Sequence, residues 1–233
     1  SVTDNDLYVN LFASNDADIS FGKHKVMISQ ETNYPWGGDI MITVNPEKEG
    51  KFSLRLRIPG WARNEAIPGG LYTFAGNDEA KYIIRVNGKD YSATVTDGYA
   101  SVLRKWKKGD KVELLLPMPV RTVTADNRVK DDNEKYAVQR GPLMFCAEWP
   151  DNPEGRVLNL VLDEQPELKA EFVPGLLNGT EVIRTKARQI TVNPDGTNSR
   201  GEAEDITLIP YHLWNNRGKG EMKVWIPFDK SRK

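Results

Sequence analysis

The sequence predicts an all-β protein built as two β-sandwich, jelly-roll-like domains, and three observations carry that prediction. Short segments alternate apolar and polar residues. Turns rich in Gly, Asn, Asp and Pro separate them at regular intervals. No stretch keeps a helical period over three or more turns. A sandwich takes about 100 residues, so a chain of 233 residues fits two.

In chain order, residues 7–12, 25–30, 39–44, 52–58 and 82–86 read as strands. In the fourth of these Phe52, Leu54, Leu56 and Ile58 share one face, and Ser53, Arg55 and Arg57 the other. A period of two sends the first set to a core and the second to solvent. Asn87-Gly88 is a hairpin signal, because both residues tolerate the positive φ of a tight two-residue turn. Lys107-Lys108-Gly109-Asp110 makes another turn, feeding a strand over 111–116. Pro117 and Pro119 then interrupt the ladder, since proline lacks the N–H a central strand needs, and a domain boundary belongs there. A second series follows at 120–125, 136–139, 143–147, 158–162, 168–172, 182–185 and 189–192. Residues 193–201 have the composition of an exposed loop. Last comes an aromatic strand, Ile209-Pro210-Tyr211-His212-Leu213-Trp214, then an Asn215-Asn216-Arg217-Gly218 turn and a return strand, Met222-Lys223-Val224-Trp225-Ile226.

A net charge of −1 implies no general attraction to nucleic acid or to an anionic membrane surface. No apolar run is long enough to span a bilayer as a helix. The single cysteine, Cys146, excludes an internal disulfide framework. The chain starts at Ser1 with no signal peptide, which reads as a processed or truncated start.

Candidate chemistry is sparse. Zinc usually takes three or four closely spaced ligands, and only His24, His212 and Cys146 are on offer, far apart. No metal site is expected. No Gly-x-Ser-x-Gly elbow occurs, and Cys146 lies in an apolar strand where a small buried residue is expected. Asp131-Asp132-Asn133-Glu134 reads as a solvated loop, and Glu202-Ala203-Glu204-Asp205 as the exposed lead into a strand. No catalytic residue is assigned. Trp36, Trp61, Tyr211 and Trp214 sit in loop or strand-end clusters and are the candidate surface for carbohydrate binding or for docking a neighbouring domain. A flat ring can stack on a sugar, but aromatics at strand ends also close cores. Asn178-Gly179-Thr180 matches a glycosylation sequon. Arg140 is a candidate for an acidic partner across a domain contact.

Taken together, several motifs in order resemble glycoside hydrolase family 127, the β-L-arabinofuranosidase-type family. They are Leu7-Tyr8-Val9-Asn10-Leu11-Phe12, Tyr34-Pro35-Trp36, Arg57-Ile58-Pro59-Gly60-Trp61, Trp106-Lys107-Lys108-Gly109-Asp110, Leu116-Pro117-Met118-Pro119-Val120, Gln139-Arg140-Gly141-Pro142-Leu143 and the closing block. The resemblance implies a parent with a helical (α/α)6 barrel followed by two β-sandwiches, a retaining exo-glycosidase releasing L-arabinofuranose or a related sugar. It further implies a zinc-bound nucleophilic cysteine in an adjacent Cys pair and a barrel glutamate as acid/base, all ahead of Ser1. This chain would then be the non-catalytic portion, itself inactive and without a cofactor. It would buttress the missing barrel and possess, as an added role, oligomer contacts such as a homodimer. The parent's partner would be a plant-derived or complex glycan, and a periplasmic or secreted location is favoured. The resemblance also implies that strands over 205–233 return to complete a first sandwich of residues 1–119, leaving 120–204 as an inserted second one. The alternatives are a free-standing carbohydrate-binding module and a dimerisation domain.

Overall fold

The computed structural model describes residues 1–76 and 81–229. Its strands, in chain order, are β1 (Asp6–Val9), β2 (Asn15–Phe21), β3 (His24–Thr32), β4 (Asp39–Pro46), β5 (Gly50–Arg57), β6 (Tyr72–Phe74), β7 (Ile83–Val86), β8 (Lys89–Asp90), β9 (Val95–Thr96), β10 (Tyr99–Trp106) and β11 (Asp110–Leu115). They continue with β12 (Val120–Ala125), β13 (Lys135–Arg140), β14 (Leu143–Glu148), β15 (Leu160–Asp163), β16 (Lys169–Val173), β17 (Thr180–Val192), β18 (Asn198–Pro210), β19 (Met222–Lys223) and β20 (Ile226–Asp229). The only helical elements among the described residues are short 3-10 turns.

Two compact units form, one from Ser1–Glu65 with Asp78–Met118, the other from Ala66–Asn77 with Pro119–Lys233. The N-terminal unit is a sandwich of a four-stranded sheet, β1-β5-β10-β9, and a six-stranded sheet, β2-β3-β4-β11-β7-β8. The inward alternate residues of both sheets form one core, including Leu7, Leu54, Leu56 and Val102 from the first and Val26, Ile42, Val44 and Leu114 from the second. Phe52 anchors it, edge-on to Phe21 at 5.3 Å and stacked on Trp106 at 5.7 Å. The Trp106 indole N–H donates to the Phe52 carbonyl at 3.0 Å, which satisfies its one polar group inside the core. Asn87 and Gly88 adopt φ of 52° and 75° at the β7–β8 hairpin, the geometry that an Asn-Gly turn supports. Ser53 is buried, against the alternation, because β1 runs parallel to β5 and places Asp6 opposite it.

In the C-terminal unit the pairing closes on itself. β14 pairs with β18, β18 with β17, β17 with β15, β15 in parallel with β20, β20 with β13, and β13 with β14 again. Closure hides edges that an open sheet would expose. Its interior holds Val138, Phe145, Leu160, Leu162, Ile183, Leu208 and Ile226.

Three readings from the sequence need correction. The strands near the C-terminus do not complete the N-terminal sandwich: β19 pairs with β14, and β20 with β13 and β15, all in the C-terminal unit. The exchange runs the other way, since β6, from inside the first half of the chain, pairs with β12. The assigned bounds of 1–119 with 205–233, and of 120–204, are replaced accordingly; residues 230–233 lie outside those described. The segments 182–185 and 189–192 form one strand, with a register shift between Arg188 and Ile190 that disguises its continuity. The supposed aromatic strand ends at Pro210, and Tyr211–Leu213 is a 3-10 turn.

Candidate docking and glycan-contact surfaces

Trp36 sits in the turn after β3, where its backbone N–H donates to the Asn33 carbonyl at 2.8 Å, and its side chain is half-buried. In the same turn Tyr34 packs edge-on against Phe12 at 5.6 Å. Trp61 lies in the 3-10 turn Gly60–Arg63, which follows Pro59 and closes on Asn64 at φ 64°; its ring leans on the N-terminal core. The two turns meet at Tyr34. Burial raises the Tyr34 hydroxyl above its ordinary range, against the opposing pull of the neighbouring Trp61 indole N–H and the Arg57 charge. That indole N–H stays outside hydrogen-bond geometry. The Trp61 ring is therefore partly occupied by packing.

The other two candidates lie on the C-terminal unit. Tyr211 is 45 % exposed, and its ring centroid stands 6.3 Å from that of Trp214 at 30°. Trp214 packs on a small cluster of Cys146, Val182 and Ile209. Tyr211 is thus the most accessible of the four rings.

The Asn-Asn-Arg-Gly turn beside them has a structural task. Arg217 forks onto Asp151, with 2.6 Å from Nη1 to Oδ1, and also bonds Glu148. The Glu148 side chain is 2 % exposed and accepts a further bond from the Asn215 N–H at 2.8 Å. The two carboxylates raise the Arg217 pKa, Asp151 foremost, against desolvation. Trp149 covers Gly220 so closely that a β-carbon there would fall 2.0 Å from the ring. Glu221 accepts from the N–H groups of Val157 and Leu158 at 2.8 and 3.1 Å. The motif clamps the closing segment to the end of β14 and the turn after it.

The remaining candidates resolve into packing or surface. His24 is buried between the rings of Phe21 and Phe52, with centroids at 5.2 Å from each. His212 is exposed on its 3-10 turn. Asp132 accepts from the Tyr72 hydroxyl at 3.2 Å. Glu202–Asp205 lie within β18 rather than ahead of it, and Asp205 pairs with Lys186 on the surface. Arg140 does meet an acidic group, Glu181 at 2.6 Å, but inside its own unit. Cys146 is fully buried, and burial first, then the Glu148 charge, pushes its thiol up to about 12. At pH 8 the native chain should not react with a disulfide reagent, whereas one equivalent should react after unfolding in guanidinium. Rapid labelling of the native chain would contradict this burial. The described residues do not fit a zinc centre: burial opposes the Cys146 thiolate, and no group of three or more His, Cys, Asp or Glu among them is placed to hold a metal.

Two surface grooves of the N-terminal unit were not legible in the sequence. One, of about 550 Å³, lies on the six-stranded sheet between Glu31, Asp39, Met41, Ile83, Arg85 and Glu113. The other, of about 710 Å³, is lined by Arg63, Tyr82, Tyr91 and Thr94 among others. The first is assembled from strand residues that only the register brings together, and the second mainly from a 3-10 turn and the connections around β7 and β8.

Comparison with known proteins gives a consistent picture. The family profile described as β-L-arabinofuranosidase, GH127 middle domain, matches residues 6–118. The glycoside hydrolase family 127 C-terminal domain matches residues 120–227. A non-reducing end β-L-arabinofuranosidase of Bifidobacterium longum subsp. longum is 31 % identical over 228 residues, covering 92 % of this chain and 32 % of the relative. Among solved structures, a GH127 β-arabinofuranosidase superposes with a TM-score of 0.91 at 42 % identity, covering 97 % of this chain and 35 % of that one. A GH127 β-L-arabinofuranosidase from Geobacillus stearothermophilus T6 superposes with a TM-score of 0.84 at 35 % identity, covering 98 % of this chain and 34 % of that one. The chain spans about a third of the length of these relatives.

Proposed function

Since the chain belongs to glycoside hydrolase family 127, we propose that it serves as the accessory, non-catalytic β portion of a sugar-cleaving enzyme. Its role is to support a catalytic domain that precedes it. One observation carries this reading: the middle-domain and C-terminal-domain matches tile residues 6–227 almost without a gap. The parent would act as an exo-glycosidase releasing L-arabinofuranose or a related sugar, by analogy with relatives named for that activity. Zinc chemistry, where the parent uses it, would run on residues outside this chain, because the residues here do not fit a zinc site. Trp36 and Trp61 are the contacts we assign to the support role on the N-terminal unit, and Tyr211 with Trp214 on the C-terminal unit. Contacts between copies of the parent are a further role for the same surfaces.

The test is an assay of the purified chain with an aryl β-L-arabinofuranoside, with and without added zinc. No turnover above buffer is expected. Turnover abolished by Cys146→Ser would overturn the reading.

A second reading, glycan binding, draws on the exposure of Tyr211 beside Trp214. It requires saturable quenching of tryptophan fluorescence by arabinan oligosaccharides that is lost in Trp214→Ala. A flat titration removes it.

A further inference from the structure

The two outer faces of the N-terminal sandwich differ in chemistry. On the six-stranded sheet, the outward positions of β2, β3 and β4 are mostly short or charged, as at Asp16, Asp18, Lys25, Ser29, Thr43 and Asn45, with Met27 and Met41 among them and no ring. On the four-stranded sheet, the register puts Tyr8 beside Arg55, Arg55 beside Ser101, and Tyr99 beside Arg57. Tyr8 and Tyr99 meet edge to face at 5.2 Å, and the Arg55 guanidinium lies over Tyr8 at 5.5 Å. Asp6 pairs with Arg55 at 3.2 Å, and Asn10 accepts from the Tyr99 hydroxyl at 2.8 Å. Tyr8, Tyr99 and Arg55 are thus fixed in place before any partner arrives. Next to them Leu103 is 53 % exposed and, just past β1, Leu11 is 78 % exposed.

Tyrosine and arginine flanked by apolar side chains is the composition of a protein interface centre, and prior fixing lowers the entropy lost on docking. The position of the face identifies what it meets. β1 is an edge strand of this sheet, and the middle-domain match begins at residue 6, the first residue of β1. The matched regions are the middle and C-terminal domains of proteins about three times as long, so the chain that precedes the middle domain in them leads into this edge strand.

We propose that the outer face of β1-β5-β10-β9, centred on Tyr8, Arg55, Arg57, Tyr99 and Leu103, is the docking surface for the domain preceding this chain in its parent. The proposal rests on the support role given above and adds to the contacts assigned there a docking face on the N-terminal unit.

Hydroxyl-radical footprinting tests it, comparing the isolated chain with the parent polypeptide that contains the preceding domain. Oxidation of Tyr8, Tyr99, Leu103 and Leu11 should fall at least fivefold in the parent. Met27, 41 % exposed on the other sheet, should be unchanged. Leu103→Glu should restore the oxidation of Tyr99 in the parent while leaving the circular dichroism of the isolated chain unaltered. Protection of Met27 with Tyr99 and Leu103 unprotected would overturn the choice of face and leave the support role standing. An absence of protection on the N-terminal unit would overturn the proposal, and an absence on both units would overturn the support role as well. Protection already present in the isolated chain and rising with its concentration would assign the face to a second copy and overturn the proposal.

Discussion

Replacing Arg217 with alanine should destabilise the C-terminal unit by about 3–5 kcal/mol, the usual cost of stranding a buried charge. The reason is local. Glu148 is buried and would keep only the Asn215 N–H, while Asp151 would lose both arms of its fork. Lysine at 217 should recover part of the loss, because it restores charge but not the two-pronged geometry. Urea unfolding followed by fluorescence reads the effect, since Trp149 packs on Gly220 within the same clamp. A shift under 1 kcal/mol would mean that water already reaches Glu148 and that the motif is a surface feature. Because the chain has two units, each transition must be fitted separately.

The other large effect is expected at Trp106. It is fully buried, stacks on Phe52 and donates to the Phe52 carbonyl. Alanine there removes the largest side chain of the N-terminal core, at an expected cost of about 3–5 kcal/mol. Phenylalanine should cost less, by keeping much of the volume and losing the hydrogen bond. The C-terminal transition should stay put in both variants, since none of the contacts described for Trp106 lies outside its own unit. Equal shifts in both transitions would show that the units unfold as one.

Much of the fold was legible because a half-buried strand writes a period of two into its sequence. β4 and β5 show this, with Ile40, Ile42 and Val44 inward in one and Phe52, Leu54 and Leu56 inward in the other. β2 was missed because Asn15, Asp16 and Asp18 leave it almost no apolar pattern; it is an edge strand held by β3. β10 was missed because Leu103 faces outward and breaks the alternation set by Ala100 and Val102. That irregularity is now its most informative feature. The final block was recognisable as a motif, but its work was not. Arg217 finds its carboxylates 66 and 69 positions upstream, a pairing that only the closed strand circuit creates. The same long range defeated the domain bounds, because no local pattern says which sheet a short strand such as β20 will join.

The candidate rings show the opposite limit. Trp36, Trp61 and Trp214 were legible as aromatic clusters near turns, yet turn chemistry alone could not say how much of each ring the core already occupies. Geometry shows that Trp61 and Trp214 pack on their cores while Tyr211 stays 45 % exposed.

The claim that this chain supports a preceding domain is tested most directly by calorimetry of the parent polypeptide beside the isolated chain. The N-terminal unit should melt at a higher temperature, by at least about 5 °C, when the preceding domain is attached, as expected when a partner binds only the folded state. Identical midpoints, with the preceding domain fully active after the chain is cleaved away, would contradict it.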